Sequence, residues 1–348
     1  MSTTTALRNR AVRLGEYPEG VVDPDIFELT ESEVPALADG QVLLQIHYTT
    51  VDPAMRIYMD PGSIIGNNED LASTFVRKGE VIRAWVVGEV VASRSPRFPV
   101  GSFARDIMGN AGVQEYAILD DSALVPIDPE RAPLSAYITT LGMPGLTAYM
   151  GIVDIARPKA GETVVISSAA GGVGSIAGQI AKTLGCRVIG IAGGAEKCRY
   201  VVEKLGFDGC IDYKAGKLDE ALDAHCPDRI DIYFDNVGGA MLDSCIARIA
   251  THGRVVGCGA IAAYNGEIEP LRSYLTLLTR QARWESFTYY HLAADLDRME
   301  RATRQLADWL KSRAIRQEEH VFEGIEQFGT ALRQMYDGAT TGKVILKV

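Results

Sequence analysis

Between residues 160 and 290 short apolar runs alternate with amphipathic stretches. The runs at 163–167, 187–191, 209–211, 230–234, 254–258 and 284–288 hold much of the local Val, Ile and aromatic content and predict strands. The stretches 173–184, 196–205, 218–225 and 240–249 repeat apolar residues at helical spacing. Strands alternating with helices in this way predict an α/β fold with a doubly wound parallel sheet. Residues from about 10 to 125 read differently: 42–48, 86–91 and 116–119 predict strands, with turns at Pro61-Gly62, Pro96, Pro99 and Gly101, as a small barrel requires. Farther on, Leu292, Leu296, Met299, Thr303, Leu306 and Leu310 form an apolar helical stripe, and 342–348 closes the chain as a strand. Trp85, Trp284 and Trp309 are read as packing residues.

The chain has 348 residues, more than one core usually serves, so two domains are expected, with the change of pattern near residue 130. Its 35 Lys and Arg against 45 Asp and Glu give a net charge of -10, which repels nucleic-acid backbones and anionic membranes. Neither nucleic acid nor membrane is therefore an expected partner. Six cysteines without a CxxC pair suit reduced, small buried thiols in a cytoplasmic protein. Residues 1–14 carry Arg8, Arg10 and Arg13 without a continuous apolar run, so no signal peptide is expected. The uncharged stretch 163–181 is long enough to span a bilayer, but its glycines and serines fit a buried strand, turn and helix better.

That stretch carries the strongest chemistry. Val164-Val165-Ile166-Ser167-Ser168-Ala169-Ala170 runs into Gly171-Gly172-Val173-Gly174 and opens a helix. A diphosphate must approach backbone N–H groups at the positive end of a helix, and side chains on the turn would hold it away. Ala169 replaces the first glycine of the usual fingerprint, but strand, turn, helix and second strand supply the confirming context. An NAD site usually places Asp or Glu about 20 residues onward, at the end of the second strand. Here Ala192-Gly193-Gly194-Ala195 occupies that place, followed by Glu196-Lys197. Without the acid, and with Lys197 nearby, the expected cofactor is NADPH.

No metal-ligand spacing occurs among His47, His225, His252, His291, His320 and the cysteines, and no nucleophile elbow or P-loop is present. Hydride transfer without a metal suits an activated C=C bond or a quinone, where hydroxyls, amides or the coenzyme can stabilise the developing charge.

The motifs Ala169-Ala170-Gly171-Gly172-Val173-Gly174, Gly190-Ile191-Ala192-Gly193-Gly194, Leu205-Gly206-Phe207-Asp208, Ile211-Asp212-Tyr213-Lys214, Phe234-Asp235-Asn236-Val237-Gly238-Gly239 and Cys258-Gly259-Ala260-Ile261 follow in order, with Tyr264-Asn265 and the terminal Gly342-Lys343. Upstream stand Val51-Asp52-Pro53-Ala54-Met55-Arg56 and Leu141-Gly142-Met143-Pro144-Gly145. Over nearly its whole length the chain resembles the zinc-free medium-chain dehydrogenase/reductases, in the branch of prostaglandin reductase, leukotriene B4 12-hydroxydehydrogenase, alkenal double-bond reductase and curcumin reductase.

The resemblance implies a GroES-like β-barrel domain from 1–132 and 311–348, with a Rossmann domain of 133–310 inserted. It implies NADPH-dependent reduction of the C=C bond of α,β-unsaturated ketones and aldehydes, in a homodimer. Carried over by position, Gly171, Gly172, Val173 and Gly174 would line the diphosphate, and Lys197 and Tyr213 would meet the 2′-phosphate beside Gly193. Asn236 would face the coenzyme, Cys258, Gly259, Ala260, Ile261 and Tyr264 would lie beside the nicotinamide ribose, and Phe287, Thr288 and Tyr289 at the carboxamide. Thr340, standing where many members have Asn, would complete the cofactor set. Tyr58 and Met143 are candidates for the substrate slot, against a plain reading as wall or core.

The expected mechanism is hydride addition to the β-carbon of an enone, with the resulting enolate held by the Tyr264 hydroxyl and the ribose hydroxyl. Two other readings stay open: an NADPH:quinone oxidoreductase, and a non-catalytic NADPH-binding sensor.

Overall fold

The computed structural model describes residues 7–63, 73–265 and 268–348; the start of the N-terminal stretch read above for a leader lies outside them. Along the chain, an antiparallel pair, β1 (Arg8–Leu14) and β2 (Phe27–Glu33), precedes β3 (Gln41–Thr50), the short helix α1 (Met55–Tyr58), β4 (Val86–Ser93), β5 (Phe103–Asp106), β6 (Tyr116–Asp120) and β7 (Leu124–Ile127). Helix α2 (Met143–Tyr149) leads into strict alternation: β8 (Thr163–Ser167), α3 (Gly172–Thr183), β9 (Arg187–Ala192), α4 (Ala195–Glu203), β10 (Gly209–Asp212), α5 (Leu218–His225), β11 (Ile230–Asp235), α6 (Gly239–Ala247) and β12 (Ile249–Gly257). Then come α7 (Tyr274–Thr279), β13 (Arg283–Ser286), α8 (Tyr289–Ala293), α9 (Leu296–Lys311), β14 (Glu319–Glu323), α10 (Phe328–Tyr336) and β15 (Lys343–Lys347).

Two compact units result. One holds Met1–Thr139, Glu319–Thr340 and Val344–Val348; the other holds Thr140–Glu318 and Thr341–Lys343. In the first, the sheet order is β14-β15-β3-β4-β5-β7, with β6 also on β3, and the pairs β15–β3, β3–β4, β3–β6, β4–β5 and β5–β7 are antiparallel. Strand β3 shows why it forms: Val42, Leu44 and Ile46 alternate inward onto Val86, Val90, Phe98 and Leu124, while Gln45 faces out.

In the second unit the sheet runs β10-β9-β8-β11-β12-β13 with every pair parallel. Val165, Ile189, Ile191, Ile230, Tyr233 and Val255 are fully buried, and Leu222, Leu242 and Ile246 of the helices close over one face. The strand order reverses between β8 and β11, which opens a crevice beyond their carboxyl ends, the place where ligands bind in open α/β sheets.

The structure corrects three details. The stripe from Leu292 to Leu310 is not one helix: α8 stops at Ala293, and Asp295 starts α9 by accepting a hydrogen bond from Arg298 N at 3.0 Å. Trp284 packs only in part: it lies over Gly257 on edge strand β13 and keeps 44% of its surface exposed. All six cysteines are free; Cys186, Cys226 and Cys245 are fully buried and Cys198, Cys210 and Cys258 partly so. Among the described residues no helix is long and apolar enough to cross a membrane.

Candidate functional site

At the head of the crevice, β8 passes through Ser168 in a left-handed conformation (φ 52) and reaches Gly171, the N-cap of α3. A Cβ on Gly174 would stand 2.3 Å from the carbonyl oxygen of Ser168, so only glycine lets the helix begin this close to the strand. No side chain caps α3, so its first N–H groups and positive dipole end are left to an anion. Gly342 N donates to Ala170 O at 2.8 Å, and the stem of Lys343 packs against Gly172, pinning the turn from outside.

One strand over, β9 ends at Ala192 without an acid, and two side chains arrive above Gly193. A Cβ there would lie 3.0 Å from both Lys214 Cε and Tyr213 Oη, so glycine keeps this spot open. Helix α4 brings half-buried Lys197 to the same place. Burial, with the charge of Lys214 adding to it, pulls the Lys197 amine below the usual lysine range. Two ammonium groups close enough to repel each other, beside a tyrosine hydroxyl, form a cradle for a dianionic phosphate. Asp212, at the end of β10, has its Oδ1 occupied by Gly194 N (2.8 Å) and Lys214 N (3.0 Å). Lys214 was not singled out from sequence; its place directly after Tyr213 was the available signal.

On the other side of the switch point, two loops lie together. The turn after β11 orients Asn236, whose Nδ2 donates to Ser167 O at 2.7 Å. The segment after β12 lies against that turn: Ile261 N donates to Asn236 O at 3.3 Å and Ala262 N to Val237 O at 3.0 Å. Tyr264 closes the loop, its hydroxyl oxygen accepting from Ala260 N at 3.3 Å. Burial pushes the Tyr264 phenol up, and the Ala260 N–H opposes it only in part. The group is therefore protonated at neutral pH and free to donate. Burial and Asp235 push the neighbouring Cys258 thiol up to about 12, which rules it out as a thiolate nucleophile near neutrality.

The structure thus gathers Gly171, Gly172, Val173, Gly174, Gly193, Lys197, Tyr213, Asn236, the 258–261 segment and Tyr264 along the carboxyl ends of one sheet. Phe287 and Tyr289 follow β13, but their side chains turn inward, 6% and 8% exposed, and Phe287 packs on Phe234. Their backbone, with exposed Thr288, is what remains for a ligand. Met143 is partly buried in α2, its carbonyl accepting from Thr147 Oγ1 at 2.7 Å. Tyr58 and Thr340 belong to the first unit, where each is 7% exposed. No cluster of three or more His, Cys, Asp or Glu able to hold a metal occurs among the described residues. A charged hollow at the opposite, amino ends of the strands includes Arg254 and Glu162, but these pair with each other at 2.5 Å.

Residues 10–127 match a family model described as the N-terminal domain of oxidoreductase, and residues 172–310 match one described as zinc-binding dehydrogenase. The NADPH-dependent curcumin reductase of Escherichia coli (strain K12) is 37% identical over 348 residues, covering 98% of this chain and 97% of its own. Prostaglandin reductase 1 of Rattus norvegicus is 38% identical over 340 residues, covering 96% and 97%. CurA from Vibrio vulnificus, solved in complex with NADPH, shares 35% of its sequence with this chain and superposes with a TM-score of 0.89, covering 97% of this chain and 99% of that one.

Proposed function

The chain belongs to the zinc-free medium-chain dehydrogenase/reductases, in the branch of the prostaglandin and curcumin reductases, and on that premise we propose that it reduces the C=C bond of α,β-unsaturated ketones and aldehydes at the expense of NADPH. One arrangement carries the choice of coenzyme: Lys197, Lys214 and Tyr213 converge over Gly193 where an acid would otherwise stand. The uncapped start of α3 is sized by glycine for the diphosphate, and the turn at Asn236 and the loop to Tyr264 lie where the nicotinamide half would reach.

When bound, the coenzyme supplies the hydride to the β-carbon of the enone. The chain's own part is to hold the carbonyl end and to answer the charge that gathers on its oxygen. Tyr264 suits that task because its phenol is kept protonated and its oxygen is already fixed by Ala260 N, leaving the proton to donate toward an enolate. The α-carbon then takes a proton to give the saturated ketone. Tyr58 and Met143 remain our candidates for the substrate wall, Thr340 and the 287–289 backbone for the coenzyme.

We also propose a homodimer joined through β13. This edge strand is exposed at every residue from Arg283 to Ser286, and Trp284, Leu275 and Leu278 lie outward, at 44%, 56% and 74% exposure. The free cysteines fit a reducing, cytoplasmic setting.

The test is NADPH consumption over a panel of enones, enals and quinones with product masses. A saturated carbonyl product supports the reading. Turnover of quinones alone, or tight NADPH binding with no turnover, replaces it.

A further inference from the structure

Asp235 makes none of the ligand contacts proposed above, yet it is a carboxylate only 2% exposed at the carboxyl end of β11. Such a group is costly to bury unless donors surround it, and here they converge on one atom. Its Oδ1 accepts from Tyr233 Oη at 2.9 Å, Val237 N at 3.0 Å and Gly238 N at 2.9 Å, and shares the Ser167 hydroxyl, at 3.3 Å, with the carbonyl of Phe234. Burial pushes the carboxyl up, and the N–H groups of Gly238 and Val237 oppose the shift.

The donors belong to different walls of the crevice. Ser167 is the last residue of β8, just before the glycine turn, and its Oγ also accepts from Asn236 N at 2.7 Å. Val237 and Gly238 form the turn that carries Asn236. The main chain of Asp235 reaches the third wall, its carbonyl accepting from Cys258 N at 2.8 Å and Gly259 N at 3.1 Å. Beyond it, Asn236 O and Val237 O hold Ile261 and Ala262, and the loop so fixed ends at Tyr264. A charged acceptor gathers four donors more strongly than a neutral amide would, which accounts for an acid here despite its burial.

We propose that Asp235 is a positioning residue for hydride transfer: its carboxylate sets the 236–238 turn, and that turn sets the loop that presents Tyr264. It acts through Asn236 and Tyr264 and touches neither substrate nor coenzyme. The inference rests on the reductase reading above.

The full chain tests it, with cyclohexenone as substrate. In Asp235→Asn, kcat falls by about tenfold or more, the scale expected of a slightly misplaced reacting group. Affinity for adenosine 2′-monophosphate, which probes only the Lys197 and Lys214 end of the crevice, stays within about twofold because that end shares none of these contacts. Amide hydrogen exchange quickens at 236–238 and 258–264 but not in β9 or α4. Tyr264→Phe costs less in the Asp235→Asn background than in wild type, because a displaced hydroxyl has less to lose. Tyr233→Phe removes one donor and keeps the carboxylate; it shows the same pattern more weakly and decides the matter if Asp235→Asn does not fold. Unchanged kcat, additive losses with Tyr264→Phe, or exchange that quickens throughout the unit overturns the proposal. If the wild-type chain reduces no enone, the reductase reading falls, while the exchange pattern still decides whether Asp235 holds the two loops.

Discussion

Lys197 and Lys214 divide one task, and each can be removed without touching the fold's core. Lys197→Ala and Lys214→Ala should each weaken NADPH binding roughly tenfold or more, the scale of a lost charge-assisted hydrogen bond, and leave NADH binding unchanged. Titration calorimetry with both coenzymes checks this. The sign of the pH dependence follows from the lowered Lys197 pKa. A phosphate needs the protonated amine, so the preference for NADPH over NADH is full below that pKa and declines as pH rises through it, starting short of the usual lysine range. Lys197→Ala should abolish the decline. Tyr264→Phe should lower kcat/KM on an enone by about a hundredfold, as for loss of one donor to a developing oxyanion, with NADPH affinity unchanged. Full activity in that variant would remove Tyr264 from the mechanism. Lys197 could be read from the sequence because a missing acid made a nearby cation meaningful, whereas Tyr213 came only through the family resemblance. Lys214 could not, since an exposed lysine reads as solvated surface until the fold lays its stem over Gly193. Asp235 stands within a motif but had no visible role: its donors Tyr233, Val237 and Gly238 are local, and only the fold brings Ser167, 68 residues away, and the 258–262 segment against it.

The parallel sheet was readable because its inner strands are largely apolar on both faces and glycine turns punctuate the segment. The predicted strand 163–167 matches β8, while β12 begins at Ile249, ahead of the predicted residue 254. The lead-in Ala250-Thr251-His252-Gly253 lacks an apolar run, and His252 turns left-handed (φ 63). Strand β2 was invisible for a related reason: Phe27–Glu33 carries three glutamates and no buried residue. Its pairing with β1 holds it, helped by Arg8 against Glu31 at 2.6 Å. The junction of β8 and α3 yields a prediction of its own. Gly174→Ala forces a Cβ onto the Ser168 carbonyl, so we expect a loss of about 1–3 kcal/mol from overpacking, seen as a lower Tm. NADPH binding should weaken with it, because the same shift moves the start of α3. An unchanged Tm would mean the turn has room that the geometry denies.

At the scale of the molecule, the two-unit architecture was expected from chain length and from the change of pattern near residue 130. The outward face of β13 was not, since Trp284 reads from sequence as core. If β13 joins two copies, Trp284→Lys with Leu278→Glu should convert a dimer to a monomer in light scattering, with NADPH still bound because neither side chain is among the proposed coenzyme contacts. A wild-type monomer at micromolar concentration contradicts that assembly. The central claim is the reaction itself, and isotopic labelling addresses it most directly. Incubated with an enone and NADPH deuterated at the transferable position, the chain should yield the saturated ketone with deuterium on the β-carbon, as read by NMR and mass. Deuterium on the carbonyl carbon of an allylic alcohol, or no label in any product while NADPH is spent on quinones, contradicts it.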